Sequence, residues 1–148
     1  MFDQITYSHE SPLKGRTVLV IEDSATVRSF LRHLFERELP ESKVVEAVDG
    51  RSALHEMTQC RADLIVSDLQ MPGMDGRSFI ATLRSNPLLR KKSVIVLSGD
   101  DVSDMRRLYA SDPGIRFLRK PSGTAEIMQA ARSLLFGFSD ASLSGDRP

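Results

Sequence analysis

Three kinds of side chain stand at the ends of apolar runs in this sequence. The acidic pair Glu22-Asp23 and the single Asp68 supply carboxylates, Ser98 a hydroxyl and Lys120 an ammonium. Each has a plain reading when taken alone. An acidic pair before a helix favours the helix dipole, Asp68 could simply turn the chain at a strand end, and Lys120 before Pro121 could be a solvated loop lysine. Together they suit one chemistry. Clustered carboxylates repel one another unless a cation neutralises them, and Mg²⁺ prefers oxygen ligands. A carboxylate nucleophile can attack phosphorus and form an aspartyl phosphate. The phosphoryl group in flight carries charge on its equatorial oxygens, so catalysis is mainly positioning and electrostatic stabilisation. Mg²⁺, the Lys120 ammonium and the Ser98 hydroxyl would each meet one of those oxygens, and Gly99 leaves room beside them.

The elements that must position these groups follow from periodicity. TVLVIE (17–22), ADLIVSD (62–68) and SVIVLS (93–98) are short β-branched apolar runs, as expected of parallel strands covered on both faces. KVVEAV (43–48) and IRFL (115–118) are weaker and suit strands nearer the sheet edges. Between them, Val27, Phe30, Leu31, Leu34 and Phe35 make one helical stripe, and Ile127, Ala130, Ala131, Leu134, Leu135 and Phe138 make another that ends near Gly137. Weaker helical patterns cover 50–60, 75–85 and 101–110, and Ser24 and Asp75 stand where N-caps would open two helices. Five strand–helix units imply a parallel sheet with helices on both faces. Right-handed crossovers restrict this α/β chain to a doubly wound five-stranded parallel sheet. In such a sheet ligands bind beyond the carboxyl ends of the strands, where the order reverses. Strand 1 closes with Glu22 and Asp23, strand 3 with Asp68 and strand 4 with Ser98, while strand 5 leads into Lys120; strand 2 offers nothing comparable.

At 148 residues a single domain is the default, over 17–138, with a polar lead (1–16) and a polar tail (139–148). Lys plus Arg number 20 and Asp plus Glu 20, a balance that argues against a basic nucleic-acid binder or a polybasic membrane anchor. The N-terminus lacks the pattern of a signal peptide, and the apolar strings are too short to span a bilayer. A lone Cys60 excludes an internal disulfide and a multi-cysteine metal site. A cytoplasmic protein is the expectation.

Four segments carry a family resemblance: VLVIEDS (18–24), DLIVSDLQMPGMDG (63–76), VIVLSGD (94–100) and FLRKP (117–121). They resemble the receiver domains of response regulators in two-component signalling; the resemblance covers roughly 16–137 and implies the flavodoxin-like (βα)5 receiver fold of strand order 2-1-3-4-5. The spacings of 45 residues from Asp23 to Asp68, 30 to Ser98 and 22 to Lys120 are also similar to the family's. The resemblance implies that Asp68 is the phosphoacceptor, and that Glu22 and Asp23 hold Mg²⁺ directly or through water, joined by the backbone carbonyl of Gln70. It implies that Ser98 and Lys120 bind the phosphoryl oxygens and that Pro121 follows a cis peptide bond. Phe117 stands at the aromatic switch position, though a core residue of strand 5 would look the same. The departures are mild: Glu-Asp in place of Asp-Asp, and Ser in place of the commoner Thr. Gln70 and Asp100 occupy positions that influence phosphoryl lifetime in the family. The Pro-Gly in ASDPGIRF (110–117) makes the end of helix 4 atypical.

What this implies is a switch rather than an enzyme, with only self-phosphorylation and self-dephosphorylation at Asp68. Ser98 would move toward the phosphoryl group and Phe117 turn inward, shifting a pre-existing population. The face formed by helix 4, strand 5 and helix 5 would then engage a downstream protein or a second copy in a phosphorylation-dependent homodimer. The upstream partner would be a histidine kinase or histidine phosphotransfer protein, and the chain either a stand-alone receiver or a module of a longer regulator. A flavodoxin-type carrier would need a phosphate loop where EDSATV is acidic. A haloacid-dehalogenase-type phosphatase would need a D-x-D pattern after strand 1, which is absent. The alternative that retains the fold is a receiver-like interaction module working without phosphorylation.

Overall fold

The computed structural model describes residues 15–137. Most of the polar lead, Phe138 and the polar tail lie outside the described residues. Ten elements alternate along the chain: β1 (Thr17–Ile21), α1 (Ala25–Glu38), β2 (Lys43–Ala47), α2 (Gly50–Gln59), β3 (Leu64–Asp68), α3 (Gly76–Ser85), β4 (Ser93–Ser98), α4 (Ser103–Leu108), β5 (Ile115–Arg119) and α5 (Thr124–Phe136). All strand pairs are parallel, as the strand–helix alternation implied, and the order is β2-β1-β3-β4-β5, as the family resemblance implied.

Burial along the strands explains why the sequence signal differs among them. Every residue of β1 and β3 is buried, as are all but the first of β4. These three occupy the middle of the sheet, where both faces are covered and polar residues would go unpaired. β2 and β5 lie at the edges and are only partly buried, so their runs can include Lys43, Glu46, Arg116 and Arg119. Alternate strand residues feed two cores. Val18, Val20, Leu64, Val66, Ile95 and Leu97 pack against α1 and α5. Leu19, Ile21, Ile65, Val94 and Val96 pack with side chains of α2, α3 and α4 on the opposite face. Each fully buried Val, Leu or Ile contributes about 1.5–3 kcal/mol relative to exposure, so these layers hold the strand ends in register.

The helix boundaries have local causes. The Ser24 side chain accepts a hydrogen bond from the Val27 N–H and opens α1, and Asp75 does the same from the Ser78 N–H for α3. An unanticipated capping box opens α2, where Asp49 and Ser52 bond each other's backbone N–H groups. Gly137 ends α5 with a positive φ of 77°, a conformation glycine adopts without a Cβ penalty. Two expectations need adjusting. The helix anticipated over 101–110 shrinks to six residues, because Asp101 bonds the Ser103 N–H and the chain bends again before Pro113. Phe30, counted in the α1 stripe, is 48 % exposed, since it lies at the margin of the stripe rather than over the sheet.

Candidate functional site

β1 and β3 are adjacent, but the chain leaves them toward opposite sides of the sheet, so a crevice opens beyond their carboxyl ends. Glu22 is the first residue past β1. Its N–H still bonds the Ala47 carbonyl at 3.1 Å, which keeps the side chain over the sheet edge. Asp68 is the last residue of β3, and the following Leu69 N–H bonds the Leu97 carbonyl at 3.0 Å. Beyond it the loop folds back, with the Gly76 N–H on the Leu69 carbonyl at 2.8 Å. A Cβ at Gly76 would come within 2.5 Å of that carbonyl oxygen, so the loop closes this tightly only around glycine. Lys120 is tied to the end of β4 through its N–H on the Ser98 carbonyl at 2.8 Å, and a cis bond joins it to Pro121.

These anchors bring four of the singled-out side chains together. Glu22, Asp23 and Asp68 each offer a carboxylate oxygen, and these oxygens lie within 4.8 Å of one another. The Lys120 ammonium is 3.1 Å from Asp68 Oδ1 and 3.6 Å from Glu22 Oε1. Glu22 is only 2 % exposed and Asp68 8 %, whereas Asp23 is open to solvent. One cation thus faces three acids. Glu22 Oε2 accepts the Ser24 N–H at 3.1 Å, but Oε1 is buried without a hydrogen bond. Burial pushes the Glu22 carboxyl up, and the neighbouring Asp68 charge adds to this. The Ser24 N–H and Lys120 lower it without cancelling the rise. A buried, unsatisfied oxygen in an all-oxygen set is what a hard divalent cation would satisfy, and the cluster is able to hold one.

Ser98 and Gln70 are near but engaged differently. The Ser98 hydroxyl is buried and accepts the Asp100 N–H at 3.0 Å, so it faces its own loop. The Gln70 N–H donates to Asp68 Oδ1 at 3.2 Å, while its side-chain amide donates to Asp100 across the mouth of the crevice. Phe117 is half-buried on β5, away from the carboxylates. The Arg106 guanidinium of α4 lies 5.7 Å from its ring centroid and donates to its backbone carbonyl at 2.9 Å. Neither the Gln70–Asp100 bridge nor the role of Arg106 was visible in the sequence. Both join residues whose proximity exists only after the sheet is assembled.

Comparison with known proteins gives this arrangement a family. Residues 18–132 match the profile of the response regulator receiver domain. The chain belongs to that family. It is 32 % identical over 120 residues to a probable chemotaxis protein CheY of Rhizobium etli, covering 81 % of this chain and 92 % of that protein. Protein PilG of Pseudomonas aeruginosa is 30 % identical over 127 residues, covering 84 % and 90 %. The cyclic di-GMP phosphodiesterase response regulator RpfG of Xanthomonas campestris is 32 % identical over 121 residues, but the chain spans only 32 % of its length. Other matched relatives, protein-glutamate methylesterases among them, likewise exceed the receiver several-fold. Among solved structures, the signal receiver domain of a histidine kinase from Syntrophus aciditrophicus superposes with a TM-score of 0.72 at 30 % identity, covering 84 % of this chain and 93 % of that one. Vibrio cholerae CheY4, at 24 % identity and a TM-score of 0.70, covers 80 % and 98 % and shares the fold. Among the described residues of this receiver, no helix is long and apolar enough to cross a membrane.

Proposed function

We propose that this receiver, over 17–138 with its lead and tail, accepts a phosphoryl group on Asp68 from a histidine kinase or a histidine phosphotransfer protein in the cytoplasm. The observation that carries this reading is the Lys120 ammonium 3.1 Å from the Asp68 carboxylate, beside the buried Glu22 oxygen that has no hydrogen bond. In the transfer, an Asp68 carboxylate oxygen forms a bond to phosphorus as the phosphorus–nitrogen bond of the donor phosphohistidine breaks, and the electron pair returns to the imidazole. Glu22, Asp23, Asp68 and the Gln70 carbonyl would hold Mg²⁺. When bound, it supplies positive charge against the carboxylates and the phosphoryl oxygens. Lys120, 3.1 Å from Asp68 Oδ1, would neutralise charge on a second oxygen. Ser98 must exchange its Asp100 N–H bond for one to the phosphoryl group, and this exchange is the first step of switching. Phe117 then turns inward from beneath Arg106, altering the α4–β5–α5 face that meets a downstream protein or a second copy.

The test is phosphoryl uptake from acetyl phosphate with Mg²⁺, followed by intact mass for the wild type and Asp68→Asn. A base-labile adduct on the wild type alone, lost on chelation, is the expected result. If no adduct forms, and beryllofluoride with Mg²⁺ leaves the amide resonances of Asp68, Ser98 and Lys120 unmoved, the reading fails and a phosphorylation-independent interaction module replaces it.

A further inference from the structure

The end of the sheet opposite Asp68 carries a second concave site. A groove of about 960 Å³ runs beneath the start of β4 and β5, bounded by α3, α4 and the last turn of α5. That volume sits near the upper end of the roughly 300–1,000 Å³ typical of small-molecule sites. Its charge is one-sided. Among the described residues, Arg84, Arg90, Lys91 and Arg116 line it against a single carboxylate, Asp112. That carboxylate is already engaged, with Oδ2 2.5 Å from Arg84 Nε and Oδ1 accepting the Gly114 N–H at 2.9 Å. Arg84 Nη1 is buried with no hydrogen-bond partner. Arg90 and Lys91 are exposed and form no ion pair with a described residue. Among the described residues, Arg116 bonds the Pro113 and Ile115 carbonyls and the Ser133 hydroxyl and no carboxylate.

The groove's described lining thus holds four cationic side chains against one acid, in a chain whose formal charge is zero. Excess fixed positive charge in a concavity raises the local concentration of anions, and guanidinium groups match phosphate geometry in particular. A bare anion site would not need apolar walls, yet this groove has them. Tyr109 is half-buried at one side, and Leu108 beside it is 72 % exposed, a cost that an apolar or aromatic ligand group would relieve.

We propose that this groove binds a nucleotide, with its phosphates met by Arg90, Lys91 and Arg116 and its base by Tyr109 and Leu108. The site is independent of Asp68 chemistry, lying at the other end of the strands. It can be tested on the full chain in EDTA, at constant ionic strength, by following amide resonances during titration with ATP. Shifts are expected at Arg90, Lys91, Tyr109 and Arg116, with none at Asp68 or Lys120. The double substitution Arg90→Glu with Lys91→Glu, both on exposed side chains, should weaken binding at least tenfold. Tyr109→Leu should weaken ATP while leaving inorganic pyrophosphate unaffected. Three results would overturn the proposal: no shifts at millimolar ATP, shifts confined to the Lys120 end, or equal affinity for pyrophosphate and ATP. The last would make the groove a site for bare phosphates.

Discussion

Two charge clusters flank β1, one half-buried and one largely buried, and they are built on opposite principles. Beside β2, Glu46 receives Arg28 Nε at 2.9 Å on one oxygen and Arg32 Nη1 at 2.5 Å on the other. Burial alone would raise the Glu46 carboxyl, but the hydrogen bonds and charges of Arg32 and Arg28 outweigh it and hold the group below its usual range. At the carboxyl end of β1, Glu22 and Asp68 share one lysine, and the Glu22 carboxyl is pushed up. In the first cluster Arg32 also meets Glu36 at 3.0 Å, so two cations balance two acids and both oxygens of Glu46 are satisfied. The second has one lysine among three acids and leaves Oε1 of Glu22 without a hydrogen bond. The charge deficit of the second cluster is what the proposed uptake of a cation and a phosphoryl group would offset, and the first cluster has no such deficit.

The sharpest way to break this comparison is to remove a cation from each cluster. Lys120→Met should slow phosphoryl uptake from acetyl phosphate by about 10²-fold, the scale of losing one preorganised charge at a reacting oxygen. Arg32→Met should leave the uptake rate within about twofold, since its guanidinium meets Glu46 and Glu36 and does not touch Glu22 or Asp68. Equal losses in the two variants, read as initial rates by intact mass, would mean that the clusters do not differ in role.

Neutralising an acid in each cluster should give effects of opposite sign. Without added metal, Glu22→Gln should stabilise the fold by about 1 kcal/mol, because it removes a buried charge that is incompletely paired. Glu46→Gln should destabilise it by about 0.5–1 kcal/mol, because both arginines lose a charged partner. Urea unfolding midpoints report both, and a shared sign would remove the distinction. A smaller effect concerns acid. The folded pKa of Glu46 is lowered from 4.5, so its stabilisation is fully present above that value and is lost as pH falls through the lowered one. Stability of Glu46→Gln should therefore decline less over that interval than stability of the wild type. Parallel declines would show that the arginine pair contributes nothing measurable.

Much of this molecule is written locally. The buried middle strands β1, β3 and β4 read directly from apolar runs, because a strand covered on both faces tolerates little else. The Ser24 and Asp75 caps and the Gly137 stop depend on groups within four residues of themselves, so their residue types suffice. The candidate site was legible for a related reason. In a parallel sheet the carboxyl ends of the strands share one edge, so knowing which residue closes each strand nearly locates it.

What required the assembled fold were contacts between segments distant in sequence. Whether Lys120 reaches Asp68 or Glu22 depends on how β5 docks beside β4, and the Ser98 hydroxyl facing Asp100 rather than Asp68 depends on how the β4–α4 loop closes. The Arg106 contact with Phe117 and the cationic groove under β4 and β5 likewise join residues that no local pattern links. Hydrophobic periodicity encodes which side of an element faces inward. It carries no record of which charged side chains will meet once the elements are packed, because those distances are set by strand order and loop path rather than by neighbours in the chain.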